Sequence, residues 1–151
     1  MQQRLDDLGL VLPGPYPPHE PLDAVVVHAH RARTSGQLPR DHDGALVHPG
    51  VLGADVGVHA GAEAARWCAL NALSVLRDEL GDLDRIDRVL TVLGFVASAP
   101  GFVEQPAVVD GASRLLYDVF GAAGRHSRSA IGVAALPRGG AVEIEVEVAL
   151  R

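Results

Sequence analysis

The feature that most constrains this fold is a strict alternation of residue types near the carboxyl end. Successive side chains of a strand point to opposite faces of its sheet, so a period of two predicts a strand with one apolar face and one acidic face. A fold built around a sheet follows from this segment alone. The apolar positions are Val142, Ile144, Val146, Val148 and Leu150, and the acidic ones between them are Glu143, Glu145 and Glu147.

Two other segments have helical periodicity. Apolar residues recur every three or four positions over residues 55–80 and again over residues 102–120. Gly81 and Gly121 follow these segments directly, where glycine commonly ends a helix. The pattern predicts two helices, and the many alanines of the first favour close packing against a sheet.

The remaining apolar segments predict strands. Residues 24–34 are rich in β-branched residues and predict one long strand or two strands with a tight reversal. Residues 86–97 form a nearly continuous apolar run, typical of a strand that is covered on both faces. Residues 127–136 precede the turn-forming segment 137–140, which predicts a hairpin with the last strand.

The predicted order is therefore β-β-α-β-α-β-β, an α+β fold with a single sheet and both helices on one face. A homo-oligomer could cover the other, partly apolar face. The chain has 151 residues, enough for one domain. Residues 1–22 contain five prolines and predict an extended amino-terminal arm, and residues 23–151 form the domain.

Charge and composition exclude several functions. The net charge is −6 and all 13 basic residues are arginine, so nucleic acid is disfavoured as a partner, as is ribonuclease activity, and lysine-based catalysis is excluded. A single cysteine, no apolar leader and no apolar run of about 20 residues predict a cytoplasmic protein without a membrane segment.

Metal and nucleotide sites have little support. His28 and His30 would lie on one side of a strand, but no third ligand follows at a diagnostic spacing, and His42 lies in a predicted loop. Cys68 falls on the apolar stripe of the first helix and is expected to be a core residue. We therefore predict no metal and no cofactor.

Arg128 is the residue that most strongly suggests a site. It lies within a predicted strand among small and apolar residues, where a guanidinium group needs an anionic partner. One interpretation is a structural ion pair with Glu143 or Glu145 on the neighbouring strand of the predicted hairpin. The other is a bidentate clamp for a ligand carboxylate, with a nearby glutamate holding water.

Three segments resemble the Rid family of reactive intermediate deaminases, also called the YjgF or endoribonuclease L-PSP family. Residues 34–39, TSGQLP, resemble its strand-end motif, and residues 81–84, GDLD, resemble a second signature. The third match is the most specific, with Arg128-Ser129, then Leu136-Pro137 and residues 142–145, VEIE. Further segments, including GFVAS at residues 94–98 and GAS at residues 111–113, resemble a longer-chained subgroup.

This resemblance implies a chorismate-mutase-like fold and a homotrimer around a central β-barrel, with ligand clefts between subunits. It also implies hydrolysis of reactive enamines or imines, such as 2-imino acids, to a 2-keto acid and ammonia, without a cofactor. Arg128 matches the arginine that binds the substrate carboxylate, and Glu143 matches a glutamate beside the attacking water. Ser35, Gly36 and Phe95 fall among the expected cleft residues.

Two positions depart from the family pattern. Leu22 occupies a cleft position at which many members have tyrosine, and Gly132 replaces a glutamate found in many deaminases of the family. The expected cleft is roomier and less acidic. His126 could supply a polar cleft group, or it could be a solvent-facing loop histidine. The alternative function is a non-catalytic trimer that binds a small carboxylate metabolite.

Overall fold

Five strands form one mixed sheet, with two long helices packed on one of its faces. The computed structural model describes all 151 residues. The order β-β-α-β-α-β-β is confirmed, and a short helix precedes it. The strands are β1 (Val25–His28), β2 (Arg31–Thr34), β3 (Ile86–Ala97), β4 (Ser127–Val133) and β5 (Val142–Leu150), and the helices are α1 (Gln2–Asp7), α2 (Val58–Leu80) and α3 (Gln105–Phe120).

The predicted hairpin between the last two strands is wrong. The strand order is β1-β2-β5-β3-β4, so β3 lies between β5 and β4. β4 pairs in parallel with β3, whereas β3 and β5 are antiparallel. Helix α3 connects β3 to β4, and a strand-helix-strand unit of this kind places its two strands in parallel. Because β4 pairs with β3 through this crossover, residues 137–140 do not form a β4–β5 hairpin, although their residue types favour a turn.

The two faces of the sheet differ in polarity, as the alternation of apolar and acidic residues in β5 predicts. One face packs on α2 and α3 and carries the buried valines and isoleucine of β3 and β5. The other face has no cover within the chain, so the prediction that β3 is covered on both faces is wrong for a single subunit. We call it the open face, and its residues include Arg31 and Arg33 of β2, Thr91, Leu93 and Phe95 of β3, Ser127, Ser129 and Ile131 of β4, and the three glutamates of β5.

Helices α2 and α3 approach each other closely at a glycine. A Cβ atom added at Gly111 of α3 would overlap the backbone oxygen of Ala62 in α2. The alanine-rich side of α2 allows the same closeness over most of its length, and Ala64, Ala65 and Ala69 are fully buried. The close crossing fixes α3 over β3 and β4.

The amino-terminal arm is only partly extended. Residues 2–7 form α1, and Leu5, Leu10 and Leu12 are buried in the main core. The prediction of an extended arm over residues 1–22 is therefore wrong for residues 2–7, which form α1 ahead of the first proline, Pro13. Burial of three leucines stabilises this segment against the domain.

Residues 24–34 form two strands with a tight reversal. His28 pairs with Arg31, which leaves Ala29 and His30 as a two-residue turn in which both residues have positive φ. The prediction that His28 and His30 lie on one side of a strand is wrong, because His30 is in the turn. None of the helices is both long and apolar enough to span a membrane.

Candidate functional site

Arg128 lies on edge strand β4 and reaches toward α3. Its Nη1 atom lies 2.8 Å from Oδ1 of Asp110 and 3.1 Å from Oγ of Ser113, and Nη2 lies 3.3 Å from the carbonyl oxygen of Pro106. The side chain is 21% exposed. An ion pair with Glu143 or Glu145 is therefore wrong, because β4 does not adjoin β5 and Arg128 points to the helix side of the sheet. The anionic partner is Asp110.

Glu143 lies on the open face, against the chain that follows β2. A Cβ atom added at Gly36 would overlap the Oε1 atom of Glu143, so a side chain at this position would displace the carboxylate from its place against the backbone. The side chain is half-buried, and burial raises the pKa of Glu143 above its usual value, with a further contribution from the charge of Glu145. A carboxylate with a raised pKa is suited to accept a proton.

The segment around Gly36 is held by backbone and hydroxyl contacts. Ser35 donates its backbone N–H to the oxygen of Ala24 at 2.8 Å and its hydroxyl to the oxygen of Asp23 at 2.6 Å. Gln37 exchanges two backbone hydrogen bonds with Ile144, at 2.9 and 3.0 Å. These bonds fix the backbone of Gly36 beside the carboxylate of Glu143.

Phe95 and Leu22 complete the set of predicted cleft residues. Phe95 pairs in register with Glu143 on one side and with Ile131 on the other, so its half-buried ring lies beside Glu143 on the open face. Leu22 lies at the surface, 52% exposed, one residue before Asp23, whose carbonyl accepts the Ser35 hydroxyl. Gly36 and Phe95 thus lie beside Glu143, with Ser35 next to Gly36 in the chain, whereas Leu22 is an exposed residue with no contact to this carboxylate.

Arg128 and His126 form a separate group, and the sheet divides the two groups. Phe95 pairs with Ile131, and Arg128 lies three positions before Ile131 in β4. Positions an odd number apart in a strand face opposite sides, so Arg128 and Glu143 lie on opposite faces of the same sheet. A single subunit does not bring them together.

His126 lies in the short loop before β4, but its ring is held by two hydrogen bonds instead of pointing freely into solvent. Its Nε2 atom lies 2.9 Å from Oγ of Ser113, and its Nδ1 atom lies 2.6 Å from the carbonyl oxygen of Gly124. The ring is half-buried between α3 and the start of β4. Ser113 thereby contacts both His126 and Arg128.

Gly132 does not leave an open space. A Cβ atom there would lie 2.8 Å from Nε2 of Gln105 and 3.2 Å from Oγ of Ser98. Gln105 donates hydrogen bonds to Ser98 Oγ at 3.2 Å and to the Phe102 carbonyl at 2.8 Å. The amide of Gln105, at the start of α3, thus lies against Gly132. The expectation of a roomier cleft is therefore wrong at this position. The amide is uncharged, so it adds no negative charge there.

Sequence reasoning missed Asp110 as the partner of Arg128. A signal was present, because Pro106, Asp110 and Ser113 are spaced i, i+4 and i+7 and therefore lie on one face of a helix.

Cys68 is a core residue as predicted: it is fully buried, and burial raises the pKa of its thiol well above the usual value. No group of three or more His, Cys, Asp or Glu side chains is arranged to hold a metal ion.

Comparison with known proteins identifies the family. A family model described as "YjgF/chorismate mutase-like, putative endoribonuclease" matches residues 3–143. The chain belongs to the YjgF family. The resemblance to this family is thereby confirmed.

Relatives of this YjgF-family chain span nearly its whole length. Protein TCP17 of Trypanosoma cruzi is 44% identical over 147 residues, which cover 97% of this chain and 91% of that protein. The crystal structure of protein Atu1372 from Agrobacterium tumefaciens, whose function is unknown, is 40% identical with a TM-score of 0.91, covering 99% of this chain and 92% of the other. A "putative endoribonuclease" from Shewanella oneidensis MR-1 has a TM-score of 0.94 at 33% identity, covering 99% and 98%.

Proposed function

We propose that this protein hydrolyses reactive 2-imino acids, and the enamines in equilibrium with them, to 2-keto acids and ammonia. The observation that carries the proposal is the half-buried carboxylate of Glu143, held against Gly36 with a raised pKa, in a chain that also has a half-buried arginine at the matching family position. The first group suits activation of water, and the second suits binding of a carboxylate.

The reaction needs little catalytic machinery. An iminium carbon is already electrophilic, so holding it beside a water molecule supplies much of the rate acceleration. In the proposed reaction the guanidinium of Arg128 binds the substrate carboxylate through two hydrogen bonds. The carboxylate of Glu143 then takes a proton from the water as its oxygen attacks the carbon.

Both groups can act on one substrate only if two subunits share the site. Arg128 lies on the helix side of edge strand β4, and Glu143 lies on the open face of the sheet beside Gly36. In the proposed assembly, the β4 edge of one subunit lies beside the segment 35–37 of its neighbour. Three such contacts would close a trimer and cover the partly apolar open face.

A coupled assay tests the activity. An L-amino-acid oxidase generates a panel of 2-imino acids, and semicarbazide traps the imine that has not been hydrolysed. We expect the wild-type protein to lower the yield of trapped imine, and Arg128→Ala to lose this effect. Arg151→Ala is the matched control. Arg151 is exposed and lies outside the proposed cleft, and its Nε atom makes a long ion-pair contact of 4.0 Å with Oδ1 of Asp87. Equal trapping with and without the wild-type protein, for small and bulky imines alike, would refute the proposal.

One observation favours the alternative of a non-catalytic binding protein. Asp110 already occupies the guanidinium of Arg128 at 2.8 Å, and exposed Leu22 offers no hydroxyl group to a substrate. A binding protein would bind 2-keto acids or related carboxylates in calorimetry without accelerating imine loss. Calorimetry with pyruvate therefore separates the two functions if the assay shows no turnover.

A further inference from the structure

A serine and a histidine form a hydrogen-bonded pair beside Arg128. Ser113 of α3 and His126, two residues before Arg128, lie 2.9 Å apart through Oγ and Nε2. Nη1 of Arg128 also lies 3.1 Å from the same serine oxygen. Neither Ser113 nor His126 has a part in the proposed steps of carboxylate binding and water activation.

The second nitrogen of His126 fixes the chemistry of the pair. Nδ1 lies 2.6 Å from the carbonyl oxygen of Gly124, which can only accept a hydrogen bond, so Nδ1 carries a proton. In the neutral ring Nε2 is then an acceptor, and the Ser113 hydroxyl donates to it. When the ring is protonated, Nε2–H donates to Ser113 instead, and the hydroxyl proton is free to point elsewhere.

The pair opens into a cleft of about 490 Å³ between α3 and the start of β4. The serine and the ring are both half-buried, so a small substrate held by Arg128 can reach the hydroxyl. Other charged or titratable groups face this region from each neighbouring element: Asp110 and Tyr117 from α3, Arg125 and Arg128 from the chain around β4, and Arg88 from β3.

We propose that Ser113 and His126 deliver the proton that the departing ammonia requires. This inference rests on the proposed function. Attack of water on the iminium carbon gives a carbinolamine, and its C–N bond must break with the electron pair remaining on nitrogen. The Ser113 hydroxyl donates its proton to that nitrogen and is reprotonated by Nε2–H of His126. The carbinolamine hydroxyl releases its proton to water, which leaves the 2-keto acid and ammonia.

Ser113 is thus a catalytic residue, and His126 is a positioning residue that acts through it. Glu143 does not replace the pair, because it has accepted the proton of the attacking water. Arg128 binds the substrate carboxylate next to Ser113, which places the reacting carbon and its nitrogen near the hydroxyl.

Three variants test this role in the imine assay. General acid catalysis contributes about 100-fold or more, so we expect Ser113→Ala to lower kcat by about 100-fold with KM changed less than about twofold. Ser113→Thr keeps the hydroxyl and should retain most of the activity. We expect His126→Gln to lower kcat with KM changed less than about twofold, since glutamine cannot return a proton to the Ser113 hydroxyl. His59→Gln is the control, because His59 is an exposed residue at the start of α2.

The outcomes separate the two proposals. An active wild type with an equally active, folded Ser113→Ala variant refutes the proton relay and leaves the proposed function standing. A folded His126→Gln variant with the kcat of wild type also refutes the relay. A wild type that hydrolyses no imine refutes both, because the pair then has no reaction to serve.

Discussion

At the scale of single residues, the contacts of Arg128 determine how readily the candidate site can bind a carboxylate. The guanidinium is bound by three groups of α3, and Asp110 is the only one of them with a negative charge. A ligand carboxylate must therefore compete with Asp110. In the proposed site, this aspartate would act as an internal counterion that limits carboxylate affinity.

Removing the charge of Asp110 should tighten carboxylate binding. Partly exposed ion pairs contribute at most about 1 kcal/mol, so we expect Asp110→Asn to bind pyruvate up to about fivefold more tightly. Titration calorimetry measures the dissociation constant. Asp87→Asn serves as the control, because Asp87 lies near Arg151 at 4.0 Å and not near Arg128. Weaker binding by Asp110→Asn would show that the aspartate supports the site.

The raised pKa of Glu143 has a defined effect on stability. The folded protein holds this proton more tightly than the unfolded chain, so the stability contributed by the group is present at low pH and is lost as pH rises through the raised pKa. At pH 7 the ionised carboxylate is a cost, and Glu143→Gln should be more stable than wild type. The gain is below about 1 kcal/mol, because half of the side chain is exposed and solvent screens its charge.

Urea unfolding at fixed protein concentration measures this effect. The difference between Glu143→Gln and wild type should close below about pH 4, where the glutamate is protonated in both states. Glu145→Gln should give no such gain, because Glu145 pairs with Arg33 at 2.5 Å. A Glu143→Gln protein less stable than wild type at pH 7 would contradict the interpretation.

The sequence singled out the candidate site residues but did not predict the side chains that contact them. Arg128 and Glu143 stand out because of motif and strand pattern, and Gly36 because of its motif. The partners of Arg128 depend on which face of β4 meets α3, and the mistaken hairpin pointed to β5 instead. Only the helical spacing of Asp110 and Ser113 carried information about them.

At the scale of elements, the crossing of α2 and α3 determines where Asp110 and Ser113 lie. Gly111 lies between these two positions and against the backbone of Ala62. The close approach of the helices is therefore coupled to the position of the side chains that contact Arg128.

Substituting Gly111 tests that coupling. Gly111→Ala forces the helices apart, and overpacking of this kind costs about 1–3 kcal/mol, which exceeds the gain of about 1 kcal/mol in helix propensity. We expect a net loss in the free energy of unfolding. Gly57→Ala is the comparison, since nothing lies within 4 Å of a Cβ atom there. A Gly111→Ala protein as stable as wild type would mean that the helices separate at no cost.

The two residues of the turn between β1 and β2 are not the types that this turn prefers. Ala29 and His30 have φ values of 47° and 59°, in a two-residue hairpin that prefers Asn-Gly. The double substitution Ala29→Asn and His30→Gly should stabilise the protein by about 1 kcal/mol, since non-glycine residues at positive φ are strained. Thermal unfolding checks this, and a lower melting temperature would contradict it.

Periodicity predicted the helices and the strands, because it reflects burial within each element. It did not predict strand order. The segment 137–140 has turn residues suited to a hairpin, but α3 requires a parallel crossover that sequence spacing alone does not reveal. Helix α1 was not predicted for a related reason: the prolines at 13–21 dominated the composition of this segment, and the three buried leucines before them went unrecognised.

At the scale of the whole molecule, the two halves of the proposed site lie on opposite faces of one sheet. The open face carries the ion pairs Arg33–Glu145 and Arg31–Glu147 beside half-buried Leu93 and Phe95. The sequence predicted that this face needs cover, and the fold of the single chain provides none. The proposed site, shared between subunits, would account for both observations.

The most direct test of this shared site is complementation between two inactive variants. Arg128→Ala and Glu143→Gln subunits are co-expressed with different tags, and mixed oligomers are purified through both. Every trimer that carries both tags has one cleft of its three with both groups intact, so imine hydrolysis should return to about a third of wild type. Mixed oligomers as inactive as either variant alone, beside an active wild type, would show that Arg128 and Glu143 do not act across a subunit boundary.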